Sequence, residues 1–280
     1  MKAIAGFVLG ALAAFGWLLL LRPVLASSVL ERPNHRGRRL PTAAGLVVIM
    51  ATLSVVALWS MYDTIRDGPR PELEPSLNTA VIVVLGFGLF GLFDDLVGRN
   101  DERGLAGHFT ALGRGHLTTG MLKLLGGGLV ALAAAAPWAG SFFSRLIIGG
   151  LVIALAANLG NLLDCAPGRV EKVTLAAFLI LAITSLLATE LTGPAIIGGA
   201  AAVMLVPDLR EHYMLGDTGA NVLGGAAGLG LVATTSTGVQ AAVAIVLFGL
   251  TIASEFVSFS EVIDKTPPLR WFDRLGAPAR

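Results

Sequence analysis

Apolar residues in this chain gather into nine runs, at 3–21, 40–60, 78–93, 121–136, 142–163, 173–191, 195–206, 219–236 and 239–257. Most are roughly 17–22 residues long, the length at which an α-helix crosses about 30 Å of hydrocarbon. Within lipid a helix satisfies its own backbone N–H and C=O groups, which an open strand or loop cannot do. The pattern therefore predicts an all-α polytopic membrane protein, a single integral domain over 1–280 with about nine transmembrane helices. The run at 195–206 is short, and it is expected to tilt or to be covered by its neighbours. Composition agrees, because only 14% of residues are charged and mean hydropathy is +0.77. A soluble domain carries about 25% charged residues to cover its surface.

Threading nine spans puts the segments 22–39, 94–120, 164–172, 207–218 and 259–280 on one side. Of the 20 Lys and Arg residues, only Lys2, Arg66, Arg70 and Arg145 fall on the other. Positive charge stays on the cytoplasmic side, so the N-terminus is expected outside and the C-terminus inside. The membrane expected is the plasma membrane. The same asymmetry argues against a cleaved signal peptide at 1–26, since Arg22 and further arginines follow the first apolar run rather than precede it. Residues 61–77 read as an external loop and 259–280 as a cytoplasmic tail. The single cysteine, Cys165, rules out an internal disulfide. No nucleic-acid partner is expected at a net charge of +1.

The unusual polar residues lie at the cytoplasmic ends of the runs. "RPNHRGRRLPTAAG" (32–45) offers Arg36, Arg38 and Arg39, which either hold the loop inside against anionic lipid or bind phosphate. "FDD" ends a span at Asp94 and Asp95, at a depth where carboxylates are costly and tend to be functional. Adjacent helical residues point about 100° apart, so one of the two is expected to face a ligand. Lys123 sits just inside the next run, either snorkelling to the interface or neutralising phosphate. Asn158, Asn161 and Asp164 recur every three residues on one helix, as an interhelical hydrogen-bond network or a ligand-binding stripe. Asp217, in "YMLGDTGANVLGG" (213–225), precedes the span at 219, where helix N-terminal amides favour anions. Glu255, near the end of the last run, either pairs with an interior cation or reaches water. Hard oxygen ligands with cations nearby suit Mg²⁺ and a phosphorylated substrate, and phosphoryl transfer asks mainly for positioning and charge stabilisation.

The ordered set "LPTAAG" (40–45), "FDD" (93–95), Lys123, "NLGNLLD" (158–164) and "GDTGANVLGG" (216–225) resembles the polyprenyl-phosphate N-acetylhexosamine-1-phosphate transferases. That superfamily holds phospho-MurNAc-pentapeptide translocase and the initiators of O-antigen and teichoic acid synthesis. The resemblance implies Mg²⁺-dependent transfer of a sugar-1-phosphate from a UDP-sugar to undecaprenyl phosphate or a similar lipid, for peptidoglycan or another envelope glycan. It implies Asp217 as metal ligand, Asp94 and Asp95 at the phosphates with one a candidate base, and Lys123 on phosphate. It places Asn161 and Asp164 at the nucleotide-sugar site, makes Asn158, Thr42, Tyr213 and Met214 substrate-binding residues, and leaves Arg36, Arg38 and Arg39 to the polyprenyl phosphate. A homodimer or an envelope-assembly protein is the possible protein partner.

The resemblance breaks in places. Its members continue Gly-x-Asp-Gly after the position of Asp164, where this chain reads Cys165-Ala166-Pro167-Gly168. Their aromatic residue three before the metal aspartate is Met214 here, with Tyr213 adjacent, and no histidine follows His212 to supply their histidine-rich last loop. These departures concern the nucleobase pocket. They leave a second expectation, a degenerate relative that binds lipid phosphate as a scaffold subunit.

Overall fold

The computed structural model describes all residues except 35, 69–71, 98–106, 108, 109, 111, 112, 117 and 278–280. The basic loop 94–120 therefore lies largely outside the described residues. Among the described residues nine long helices follow one another: α1 (Lys2–Leu25), α2 (Gly45–Asp67), α3 (Pro75–Val97), α4 (Thr119–Ala139), α5 (Phe143–Leu163), α6 (Arg169–Thr184), α7 (Thr192–Leu209), α8 (Gly216–Thr234) and α9 (Thr237–Ser254). Two short ones close the chain, α10 (Phe259–Lys265) and α11 (Pro267–Arg274). Among the described residues seven helical stretches are long and apolar enough to cross a membrane, with window hydropathies of 1.5 to 2.3. The fold is of the all-α membrane class, with one short β hairpin.

Helices α6 and α8 are the two long helices outside that seven, for physical reasons. Helix α6 has only 16 residues and opens on Arg169, Glu171 and Lys172, all buried. Its predicted run to 191 breaks at Leu186 and Leu187, whose backbones are left-handed at φ 52° and 58°. Helix α8 is rich in glycine and carries Asp217, Thr218 and Asn221. It can be this polar because protein surrounds it: α2, α3, α4, α5, α6 and α7 all pack on it. From Gly216 to Gly230 only Asp217 and Ala227 escape burial. Helix α1 lies along α7, α4 bridges α3 and α5, and α9 leans mainly on α5. Outward faces stay apolar, as at Leu12, Phe15, Leu89, Leu129, Ile180, Ile245 and Phe248. In water such exposure would drive association; against lipid it costs nothing.

Two boundaries differ from expectation. Residues 61–67 belong to α2 and α3 begins at Pro75, so the connection is shorter than 61–77. Residues 40–44 precede α2 rather than open it. They belong to a hairpin of two strands, β1 (Glu31–Pro33) and β2 (Arg39–Pro41), paired Arg32 to Leu40. The Asn34 side chain closes its turn by accepting from the Arg36 and Arg38 amides at 2.9 Å each. Gly37, at φ 75°, donates to the Asn34 carbonyl.

One buried acid is out of balance. Glu171 is 0% exposed, and neither carboxylate oxygen has a hydrogen-bond partner among the described residues. A buried polar group without a partner costs about 1–3 kcal/mol. Replacing Glu171 with methionine, of similar length, should therefore stabilise the fold by roughly that amount. The check is the thermal midpoint of the purified protein in detergent, which should rise; a fall would mean that the carboxyl is satisfied.

Candidate active site

The site is built on the N-terminus of α8. Gly216 turns the chain at φ 71°, and an added Cβ there would lie 2.6 Å from Asp95 Oδ2 and 2.7 Å from Thr42 Oγ1. Asp95, at the end of α3, fills the space this leaves. Its Oδ1 accepts from the Asp217 amide at 3.1 Å, and its Oδ2 from the Thr218 amide at 3.0 Å and hydroxyl at 2.6 Å. Those amides would otherwise be orphans of the first helical turn. Asp95 is thus the cap of α8, and Asp94 is the member of the pair that meets Lys123. The stretch 41–45 is stitched to 214–215 by backbone bonds: Met214 N–H to Pro41 O, Ala44 N–H to Met214 O and Gly45 N–H to Leu215 O. Ala43 and Glu211 flank this seam in left-handed conformations, φ 60° and 53°. Non-glycine residues adopt that region at a cost, and such strain concentrates at functional sites.

At the centre Lys123, from α4, reaches between two carboxylates. Its ammonium lies 3.4 Å from Asp94 Oδ2 and bonds Asp217 Oδ2 more closely. The three side chains are 19%, 23% and 27% exposed, enough for a ligand to reach them. The lysine points at acids rather than along the helix toward an interface, which is the geometry of a charge partner. The Asn221 side chain donates to the Asp217 carbonyl at 2.6 Å and fixes the turn that presents the carboxylate.

Two cavities meet at this centre. The larger, about 590 Å³, is lined by Thr42, Asp94, Asp95, Asp164, Tyr213, Met214 and Asp217 among the sequence-predicted residues. The smaller, about 340 Å³, is lined by Lys123, Asn158 and Asn161, with Asp94 and Asp217 again, and by a wall at Gly127 and Gly128. Both contain Asp94, Gly120 and Asp217. The polar stripe on α5 is therefore divided: its asparagines face the smaller cavity, and Asp164, at the helix end, faces the larger. Asn158 donates to Thr251 Oγ1 at 3.2 Å, whereas Asn161 Oδ1 is buried with no hydrogen-bond partner among the described residues. Burial, reinforced by the carboxylates of Asp208, Asp217 and Asp95, pushes the Asp164 carboxyl well above the usual range. Glu255, with Thr251 and Ser254, lines the smaller cavity at the end of α9.

The arginines at 36, 38 and 39 line neither cavity. Arg38 bonds Glu211 Oε2 at 2.9 Å, Arg36 lies 3.4 Å from Glu211 Oε1, and Arg39 pairs with Glu31 at 3.3 Å. The hairpin turns them onto these acids, so they brace the rim. The guanidinium on the larger cavity is that of Arg32, held by the carbonyls of Val29, Glu31 and Leu96 at 3.0–3.2 Å. Asn34, Asp208 and Glu211 also line it and were missed from sequence. The acid Asp208, two residues past an apolar run, was the available signal. Its carboxylate accepts from the Gly168 amide and is buried.

No known family model matches the chain, and no curated protein matches it either. The donor chemistry must therefore speak for itself. Among the described residues no three acidic, histidine or cysteine side chains gather as a metal-binding set. What the site offers is a carboxylate pair, Asp94 and Asp217, already converging on one cation, the Lys123 ammonium. That fits Mg²⁺, which keeps most of its waters and takes one or two carboxylates plus substrate phosphates rather than a protein cage.

Proposed function

We propose that this protein is an integral membrane transferase that moves a sugar-1-phosphate from a nucleotide sugar, of the UDP type, to a polyprenyl phosphate. On this reading the nine long helices all span the plasma membrane, the N-terminus lies outside, and the site faces the cytoplasm, where nucleotide sugars are found. The observation that carries the reading is the junction of two unlike cavities at Asp94, Gly120 and Asp217, beside Lys123. The larger, polar and open, would take the nucleotide sugar. The smaller, framed by α3, α4, α5, α8 and α9 and walled in part by glycine, would admit a lipid phosphate from the bilayer.

An oxygen of the acceptor phosphate attacks the sugar-bearing phosphorus of the donor diphosphate. The bond from that phosphorus to the bridging oxygen breaks, a nucleoside monophosphate leaves with the bridging oxygen, and the sugar-1-phosphate ends in a lipid-linked diphosphate. Lys123 moves from its carboxylates to phosphate oxygens and offsets charge that is spread over them in the transition state. Asp94 faces the acceptor and takes up any proton it still carries. Asp95 holds the α8 amides in place. Asp217 and Asp94 would hold Mg²⁺, which supplies charge neutralisation on the diphosphate when bound.

Separate cavities allow separate damage. Position 128 is open, with nothing within 4 Å of an added Cβ, so Gly128→Leu should fold and narrow only the smaller cavity. Binding of a short-chain polyprenyl phosphate should weaken about tenfold, equivalent to roughly 1.4 kcal/mol. Binding of the nucleotide sugar should stay within experimental error. Calorimetry on both ligands checks this; equal loss of both, or of neither, would contradict the assignment of cavities. Lipid binding without nucleotide binding in the unaltered protein would favour the scaffold reading instead.

A further inference from the structure

The turn after α5 carries most of one wall of the larger cavity: Asp164, Cys165, Ala166 and Pro167 all line it. At its near end the Cys165 amide donates to Leu163 O at 2.7 Å and the Asp164 carboxyl takes a backbone bond from Gly216. Its far end is anchored where Gly168, at φ 68°, donates its amide to the Asp208 carboxylate and the Arg169 amide closes the turn onto Ala166 O at 3.2 Å.

The Arg169 side chain reaches away from the cavity, to the C-terminal tail. Its guanidinium grips Asp273 at both oxygens, 2.7 and 3.2 Å, and donates to Ser260 Oγ at 2.9 Å. The paired side chains are 7% and 9% exposed. One turn on, the Lys172 ammonium bonds the carbonyls of Phe272, Asp273 and Leu275. It occupies the C-terminal end of α11, where the helix dipole favours a cation. Just beyond, a Cβ at position 276 would sit 3.3 Å from Leu209, the neighbour of Asp208. Neither α10 nor α11 contains a buried residue. These helices are thus held by polar contacts rather than by an apolar core, and those contacts converge on Arg169 and Lys172, in the first helical turn after 164–168.

We propose that the tail supports the nucleotide cavity from behind its wall: Asp273, acting through Arg169, holds the 164–168 turn in its wall-forming position. Arg169 and Asp273 are positioning residues for nucleotide-sugar binding, which rests on the transferase reading above. The mechanical half of the proposal stands without it. Ion pairing at this depth matters because removing one partner leaves the other charge buried and uncompensated. Arg169 would then turn toward water and carry the end of the turn with it.

The single cysteine makes this measurable, because Cys165 lies within the turn and is exposed to the cavity. The rate at which a maleimide labels Cys165 in the purified full-length protein reports whether the turn is held. Asp273→Asn should raise that rate several-fold, and Asp273→Glu, which keeps the charge, should bring it back toward the original value. In the same variants the affinity for UDP-sugar should fall and recover in step, while turnover at saturating donor changes little. An unchanged labelling rate in Asp273→Asn would overturn the proposal whatever the activity does. So would a rise accompanied by loss of the helical circular-dichroism signal, which would mean general unfolding. A rise and recovery in labelling with no nucleotide binding in any variant would uphold the latch and count against the transferase reading alone.

Discussion

Asp217→Asn should lower transfer at least about a hundredfold, roughly 3 kcal/mol of transition-state stabilisation, while leaving the helices folded. The substitution keeps the shape of the side chain and removes its charge. Lys123 then has only Asp94 at 3.4 Å, and the carboxylate pair offered to a divalent ion becomes a single carboxylate. The loss should be largest at limiting Mg²⁺ and partly recovered at high Mg²⁺, because a weakened site fills by mass action. The thermal midpoint should move little, since Asp217 is among the few residues of α8 that are not buried. Full activity at limiting Mg²⁺ would make Asp217 no more than an acid near a helix N-terminus.

Gly216→Ala should be comparably damaging for a different reason. A left-handed backbone costs an alanine about 1–2 kcal/mol relative to glycine. The new methyl group would also meet Asp95 Oδ2 and Thr42 Oγ1 at 2.6 and 2.7 Å, too close for either to remain. Asp95 must then leave the amides of residues 217 and 218, and the carboxylate of Asp217 moves with its own backbone. Both thermal stability and transfer should fall together, in contrast to Asp217→Asn, where only transfer falls. Gly249→Ala, at an open helical position that lines neither cavity, is the matched control and should do neither. An unimpaired Gly216→Ala would show that the α8 terminus does not depend on Asp95.

The helices were legible from sequence because lipid imposes a simple rule on segments that face it, and α1 to α5 obey it. Helix α8 is the instructive exception. Its glycines and polar residues depress its hydropathy, yet they are tolerated because other helices surround it. The aspartates were legible as a set, since an acid in an apolar run is conspicuous one residue at a time. Their division of labour was not. That Asp95 caps α8 depends on a contact across 122 residues of chain, which no local pattern encodes. The arginines show the converse: Arg36, Arg38 and Arg39 stood out together in the sequence, but hairpin geometry gives Arg32 to the cavity and turns Arg36 and Arg38 to Glu211. Asp273 carried no signal at all, because its partner Arg169 lies 104 residues earlier in the chain.

The central claim is that two ligands meet across Asp94, Lys123 and Asp217 and exchange a sugar-1-phosphate. The most direct measurement incubates the purified protein with Mg²⁺, undecaprenyl phosphate and a panel of nucleotide sugars, and analyses the lipid fraction by mass spectrometry. The predicted result is a lipid diphosphate bearing one sugar from at least one UDP-linked donor, with an equal amount of UMP released and neither formed when Mg²⁺ is chelated. No lipid-linked product from any donor, in protein that still binds undecaprenyl phosphate, would contradict the claim.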